Sequence, residues 1–168
     1  MKNGFCKVYG AEAAQNGIIV LSEKNCVVFY GYGTDEELGG YNWRKDYDHI
    51  PTVAEVRADI EALVNDRTDE VILTGLRWNG KPVYLSSENQ FNFKAAHDLA
   101  KETEGAILPI KFKLGEDADG EPVYHTFTKV EVLADFVTHI FTHIQTTIKA
   151  GWTEKDSIDY SLYQVSEP

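Results

Sequence analysis

The pattern of apolar and polar positions changes near Pro51. Before it the chain reads as β structure, in short apolar runs bounded by turn residues. Phe5 to Tyr9 alternates, and Gly17-Ile-Ile-Val-Leu21 and Cys26-Val-Val-Phe-Tyr30 flank Ser22 to Asn25, which predicts a hairpin with a four-residue connection. Gly31, Gly33, Gly39 and Gly40 predict an irregular loop, followed by the aromatic and charged segment Tyr41 to Tyr47.

Beyond Pro51 the helical period takes over. Thr52-Val-Ala-Glu55 reads as a capping box, in which a hydroxyl and a carboxylate satisfy the open N–H groups of a first turn. Val53, Val56, Ile60, Leu63 and Val64 follow at helical spacing, predicting a helix over 53–65. Val71 to Trp78 reads as a strand, Asn79-Gly80 as a type I′ turn, and Lys81 to Leu85 as the return strand, with Pro82 marking an exposed edge. A second capping box, Ser87 to Gln90, opens a helix to about Lys101 whose inner face is expected to be Phe91, Ala95, Ala96 and Leu99. Ile107 to Leu114 alternates as a half-buried strand, Glu116 to Glu121 turns it, and Val123, His125 and Phe127 bring it back. Thr128 to Glu131 is a third capping box, starting a helix over 129–150 with the stripe Leu133, Phe136, Val137, Ile140, Ile144 and Ile148. Gly151 is expected to end it.

The fold class is therefore α+β: an N-terminal β hairpin region, then α-ββ-α-ββ-α with antiparallel strands and a long C-terminal helix. The expected organisation is a small β-rich annex over 1–50, an α+β domain over 51–160, and a tail over 161–168 that frays.

Composition narrows the function more by exclusion than by assignment. The formal charge of −11 comes with no basic cluster, which argues against binding a phosphate backbone or an anionic membrane. No run approaches the roughly 18 apolar residues of a membrane span, and the opening MKNGFCKVYG has no apolar leader. Cys6 and Cys26 both fall on expected strands, where two buried thiols are the simplest reading and adjacent strands the route to a disulfide.

Candidate chemistry is sparse. His139 and His143, with Asp135, share one helix flank, but Ile140 stands where a zinc-binding helix of the metalloprotease type carries Glu, so a polar surface is preferred to a metal site. The carboxylates of Glu116 to Glu121 do not match a calcium loop and suit a solvated turn. His97-Asp98 has no nucleophile pattern beside it, and Gly31-Tyr-Gly33 is too short for a phosphate loop. No catalytic residue, metal or cofactor is expected, and the chain reads as a binding protein rather than an enzyme. The possible interaction surface consists of Tyr30, Tyr32, Tyr41, Trp43 and Tyr47, which serve equally as core of a small β unit, together with His139, Phe141 and His143 on the long helix.

The run from Leu76 through Asn79-Gly80 and Ser87-Glu-Asn-Gln90 to Ala100 resembles an uncharacterised domain family of bacteriophage tail-associated proteins and gut-bacterial prophages. Leu108-Pro-Ile-Lys-Phe-Lys113, Tyr124-His-Thr-Phe127 and Gly151-Trp-Thr-Glu-Lys-Asp156 continue the resemblance, which covers residues 52–160. It implies a structural or tail-associated virion protein, made in the host cytoplasm and docking on other phage proteins. The symmetry of phage fibres suggests a homo-oligomer, with a trimer as the first expectation. The alternative it leaves open is a receptor- or glycan-binding module that uses the N-terminal aromatics.

Overall fold

The computed structural model describes residues 4–165, and they form two compact units. The first comprises residues up to Asn65 together with those from Glu154 on, and the second runs from Asp66 to Thr153. This division differs from the expected one of 1–50, 51–160 and 161–168: its boundaries fall inside two helices rather than in linkers.

In the first unit, β1 (Cys6–Tyr9), β2 (Gly17–Ser22), β3 (Asn25–Asp35) and β4 (Gly39–Tyr47) form one antiparallel sheet in the order β1-β4-β3-β2. The β2–β3 connection is only Glu23-Lys24, shorter than expected, with a register shift between Val20 and Ser22. The glycine-rich stretch is strand rather than loop. Gly31 has φ +64, and the β3–β4 register shifts between Tyr30 and Tyr32, so the glycine sits in a bulge that lets β3 continue. Alternation along β3 and β4 puts Cys26, Val28, Tyr30, Trp43 and Tyr47 into a core completed by Phe5, by Val56, Ile60, Leu63 and Val64 of helix α1 (Val53–Thr74), and by Tyr163. The expected fraying tail fails here: Tyr160–Tyr163 is a 3-10 turn whose Tyr163 is buried and donates its hydroxyl proton to the Phe29 carbonyl at 3.1 Å. Residues 166–168 of that expected tail lie outside the described residues.

Helix α1 starts as its capping box requires: Glu55 N–H donates to Thr52 Oγ1 at 3.2 Å, and Thr52 N–H to Glu55 Oε2 at 2.7 Å. It then continues through Thr74, so Val71–Thr74 is helix and the expected strand over 71–78 shrinks to β5 (Leu76–Trp78). The β-branched pair Val71-Ile72 imitates a strand, but Val71 stays solvent-exposed. Gly75 ends the helix by donating its N–H to the Val71 carbonyl at 2.9 Å.

The rest of α1 opens the second unit, with β5, β6 (Lys81–Val83), α2 (Ser87–Glu102), β7 (Ile110–Glu116), β8 (Pro122–Phe127) and most of α3 (Val130–Asp156). Asn79 and Gly80 have φ +50 and +76, the type I′ geometry the pair predicts, and close β5 onto β6. Tyr84 N–H, just beyond β6, bonds the Leu114 carbonyl of β7 at 2.7 Å. Strand β7 begins three residues later than expected, at Ile110, and keeps the alternation of Ile110, Phe112 and Leu114 against Lys111 and Lys113.

Helix α2 is capped one residue early: Ser86 Oγ accepts from Asn89 N–H at 3.2 Å, while Gln90 Nε2 donates back to the Leu85 carbonyl at 2.7 Å. Its buried residues are Phe93 and Ala100, with Ala96 partly buried, whereas Phe91, Ala95 and Leu99 face out. The expected inner face was thus the outer one, apart from Ala96. Helix α3 starts at Val130, and Thr128 makes no capping bond to it among the described residues. Gly151 does not end α3 but lies buried within it, where an added Cβ would sit 2.5 Å from Thr68 Oγ1 of α1. The glycine is there for close helix packing. Leu133, Phe136 and Ile140 of α3 join Trp78, Phe93 and Phe127 in an aromatic core, and Trp78 Nε1 donates to Asp135 Oδ2 at 2.9 Å. Burying each side chain of this size is worth roughly 1.5–3 kcal/mol.

Candidate functional site

The candidate aromatics divide between core and surface. Tyr30, Trp43 and Tyr47 are buried, their side chains spent on the sheet's inner face. The Tyr30 hydroxyl donates to Glu154 Oε1 at 2.9 Å, and that of Tyr47 donates to Asp59; burial first, and then this bond, push the Tyr47 pKa well up. Tyr41 is half-buried, packed edge-on against both Tyr9 and Trp43 with the Lys7 ammonium 4.2 Å above its ring. Tyr32 alone of the five is exposed.

The polar candidates resolve into local structure. His139 Nδ1 lies 2.8 Å from the Asp135 carbonyl, and His143 Nε2 3.0 Å from the Val71 carbonyl, so the two rings are used separately. Among the described residues no three His, Cys, Asp or Glu side chains gather where one metal ion reaches them. In the acidic turn Asp117 Oδ1 accepts from the N–H groups of Asp119 at 3.0 Å and Glu121 at 2.9 Å, which makes Asp117 the turn's own cap. His97 Nδ1 reaches only its neighbour Asp98, at 3.2 Å, and Asp98 is also paired with Lys94. The two cysteines are free and sit on strands separated by β4; Cys26 is buried, but Cys6 is exposed, against the expectation of two buried thiols.

Two titrating groups stand out by environment. His49 bridges Asp48 and Glu55 at 3.0 and 3.3 Å, and these carboxylates, Asp48 foremost, raise its pKa above the usual 6.5. His125 packs edge-on against Trp78 and Phe127, and desolvation, with the Lys81 charge, lowers its pKa below 6.5.

An open cleft of about 600 Å³ lies between the β6–α2 connection and β7, lined by Tyr84, Asn89, Lys113 and Glu116. Its charges are satisfied internally, Lys113 Nζ standing 2.6 Å from Glu116 Oε1 and Asn89 Nδ2 donating to the Tyr84 carbonyl at 2.9 Å.

The surface that sequence reasoning missed is the edge of the four-stranded sheet. Strand β2 is bonded to β3 on one side only, and Gly17–Ser22 contains neither a charged residue nor a proline, the usual guards of an open edge. The 3-10 turn covers its first residue, placing the Leu162 carbonyl 3.4 Å from a Cβ built on Gly17. Past that point Ile19, Val20 and Leu21 are exposed, Leu21 by 62%. Because side chains on a strand alternate, three exposed in succession mean that both faces of this stretch are uncovered. The signal was in the sequence as an uncharged apolar run, but its position in the sheet was not.

The chain matches no family model, no curated protein and no solved structure. None of its helices is long and apolar enough to cross a membrane among the described residues.

Proposed function

We propose that this chain is a tail-associated component of a bacteriophage particle that acts by docking on another particle protein, not by catalysis. The observation that carries the docking is the open β2 edge. It offers backbone N–H and C=O groups with Ile19, Val20 and Leu21 beside them, and an extended segment of another protein fits it by adding a strand. The resemblance of residues 52–160 supplies the setting in a particle. A net charge of −11 disfavours nucleic acid and anionic membranes as partners. The glycan-binding alternative is the weaker one, since Tyr30, Trp43 and Tyr47 are committed to the core.

Quantitative mass spectrometry of purified particles tests this reading. The chain is expected at a fixed copy number per particle after the density gradient. Its recovery only in the particle-free fraction of the lysate would remove the proposal.

A further inference from the structure

We propose that Lys81 and His125 form an acid-released tether that holds the β5–β6 turn against β8. Two strands build it. His125 and Phe127 lie two apart on β8 and so share one face of that strand, and both rings pack on Trp78, with centroids 4.9 and 5.6 Å away. Lys81 is the first residue of β6 and pairs with Trp78 across the β5–β6 turn. Its ammonium reaches β8, where it stands 3.1 Å from the Tyr124 carbonyl and 3.3 Å from His125 Nδ1. An ammonium has protons to give and no lone pair, so Nδ1 is the acceptor and the proton of the neutral ring sits on Nε2.

This bond exists only while His125 is neutral. A proton added at Nδ1 turns the acceptor into a donor and sets an imidazolium against an ammonium at 3.3 Å. The elements around the ring bring no charge that offsets this. On β7 the residue opposite His125 is Phe112, Lys113 is paired with Glu116, and Lys111 lies over the Tyr124 ring. On α3 Asp135 accepts from Trp78 Nε1 at 2.9 Å and stands 3.4 Å from His139 Nδ1. Among the described residues no carboxylate pairs with His125 itself. The ring is half-buried against Trp78 and Phe127, so a cation there is also poorly solvated. Burial first, and then the Lys81 charge, oppose protonation, and the change falls below the ordinary 6.5. Near neutral pH the tether is closed, and in mild acid the Lys81 side chain swings away from β8 into solvent. The hairpin stays in place through buried Trp78 and the Tyr84 N–H bond to Leu114, so the release is local to the turn. All of these residues lie in the second unit, and the tether does not depend on docking through β2.

NMR on the isotope-labelled full chain, titrated from about pH 8 to about pH 5 across the usual imidazole range, reads the outcome. Above the transition the ring-nitrogen shifts of His125 should show the Nε2–H tautomer, and relaxation of the Lys81 ε-methylene should show a held side chain. Below it that methylene should relax like a free lysine and the Trp78 indole signal should move, both with the His125 midpoint. Lys81→Met keeps the aliphatic stem but removes the charge and the donor, and it is expected to raise the His125 midpoint toward 6.5. His125→Phe keeps a ring against Trp78 and should abolish the pH response of Lys81, with circular dichroism confirming that each variant is folded. An Nδ1–H tautomer at neutral pH, a Lys81 side chain whose mobility does not change through the titration, or a midpoint unmoved or lowered in K81M would each overturn the tether.

Discussion

Gly151 shows how a residue's meaning is fixed by what it touches. Within a helix, replacing Gly by Ala normally adds about 0.5–1 kcal/mol of stability by reducing backbone freedom in the unfolded chain. Here the new methyl would stand 2.5 Å from Thr68 Oγ1, so Gly151→Ala is expected to cost about 1–3 kcal/mol, as overpacking does. Removing the hydroxyl with Thr68→Ala should recover part of that cost in the double variant. Urea unfolding of the three variants decides it, and a stabilised G151A would show that the helices do not approach so closely. His49 and His125 make a second residue-level test. His49, raised by Asp48 and Glu55, adds stability that is present below pH 6.5 and lost as pH rises through its folded pKa. His125, lowered by burial, adds stability that is present above pH 6.5 and lost as pH falls toward its folded pKa. In an NMR titration the His49 ring should therefore titrate above 6.5 and the His125 ring below it, and the reverse order would contradict both environments.

At the scale of elements, caps and turns were legible where one residue type answers one geometric need. Asn79-Gly80 supplies two positive φ values, and Thr52 with Glu55 closes the first turn of α1. Two adjacent serines defeated the same logic at α2, because Ser86 and Ser87 offer the same hydroxyl and only the structure shows which one Asn89 N–H reaches. Ser86→Ala is accordingly expected to cost about 1 kcal/mol and Ser87→Ala little, measured by thermal unfolding. Equal costs would mean that the cap is not confined to Ser86. Asp66 to Glu70, which no expected element covered, is helical, since helical spacing can run through a polar stretch whose apolar contacts are few. Phe91 and Leu99 were misplaced. They keep helical spacing, but they lie on the outer side of α2, and a period reveals a face without saying which face is buried.

For the whole molecule, the α+β class and the antiparallel hairpins were readable because alternation and helical spacing are local. The order of strands in the sheet was not, since nothing within Gly17–Ser22 says that β2 has a neighbour on one side only. That order is what turns an ordinary apolar run into an open docking edge. The most direct measurement introduces a charge at this edge and follows the chain into particles. Leu21→Lys changes an exposed position, so the isolated protein should keep its fold and its unfolding midpoint. If β2 is the docking edge, particles assembled with this variant carry several-fold less of the chain than those assembled with the natural sequence. Undiminished incorporation of folded L21K would contradict docking through β2.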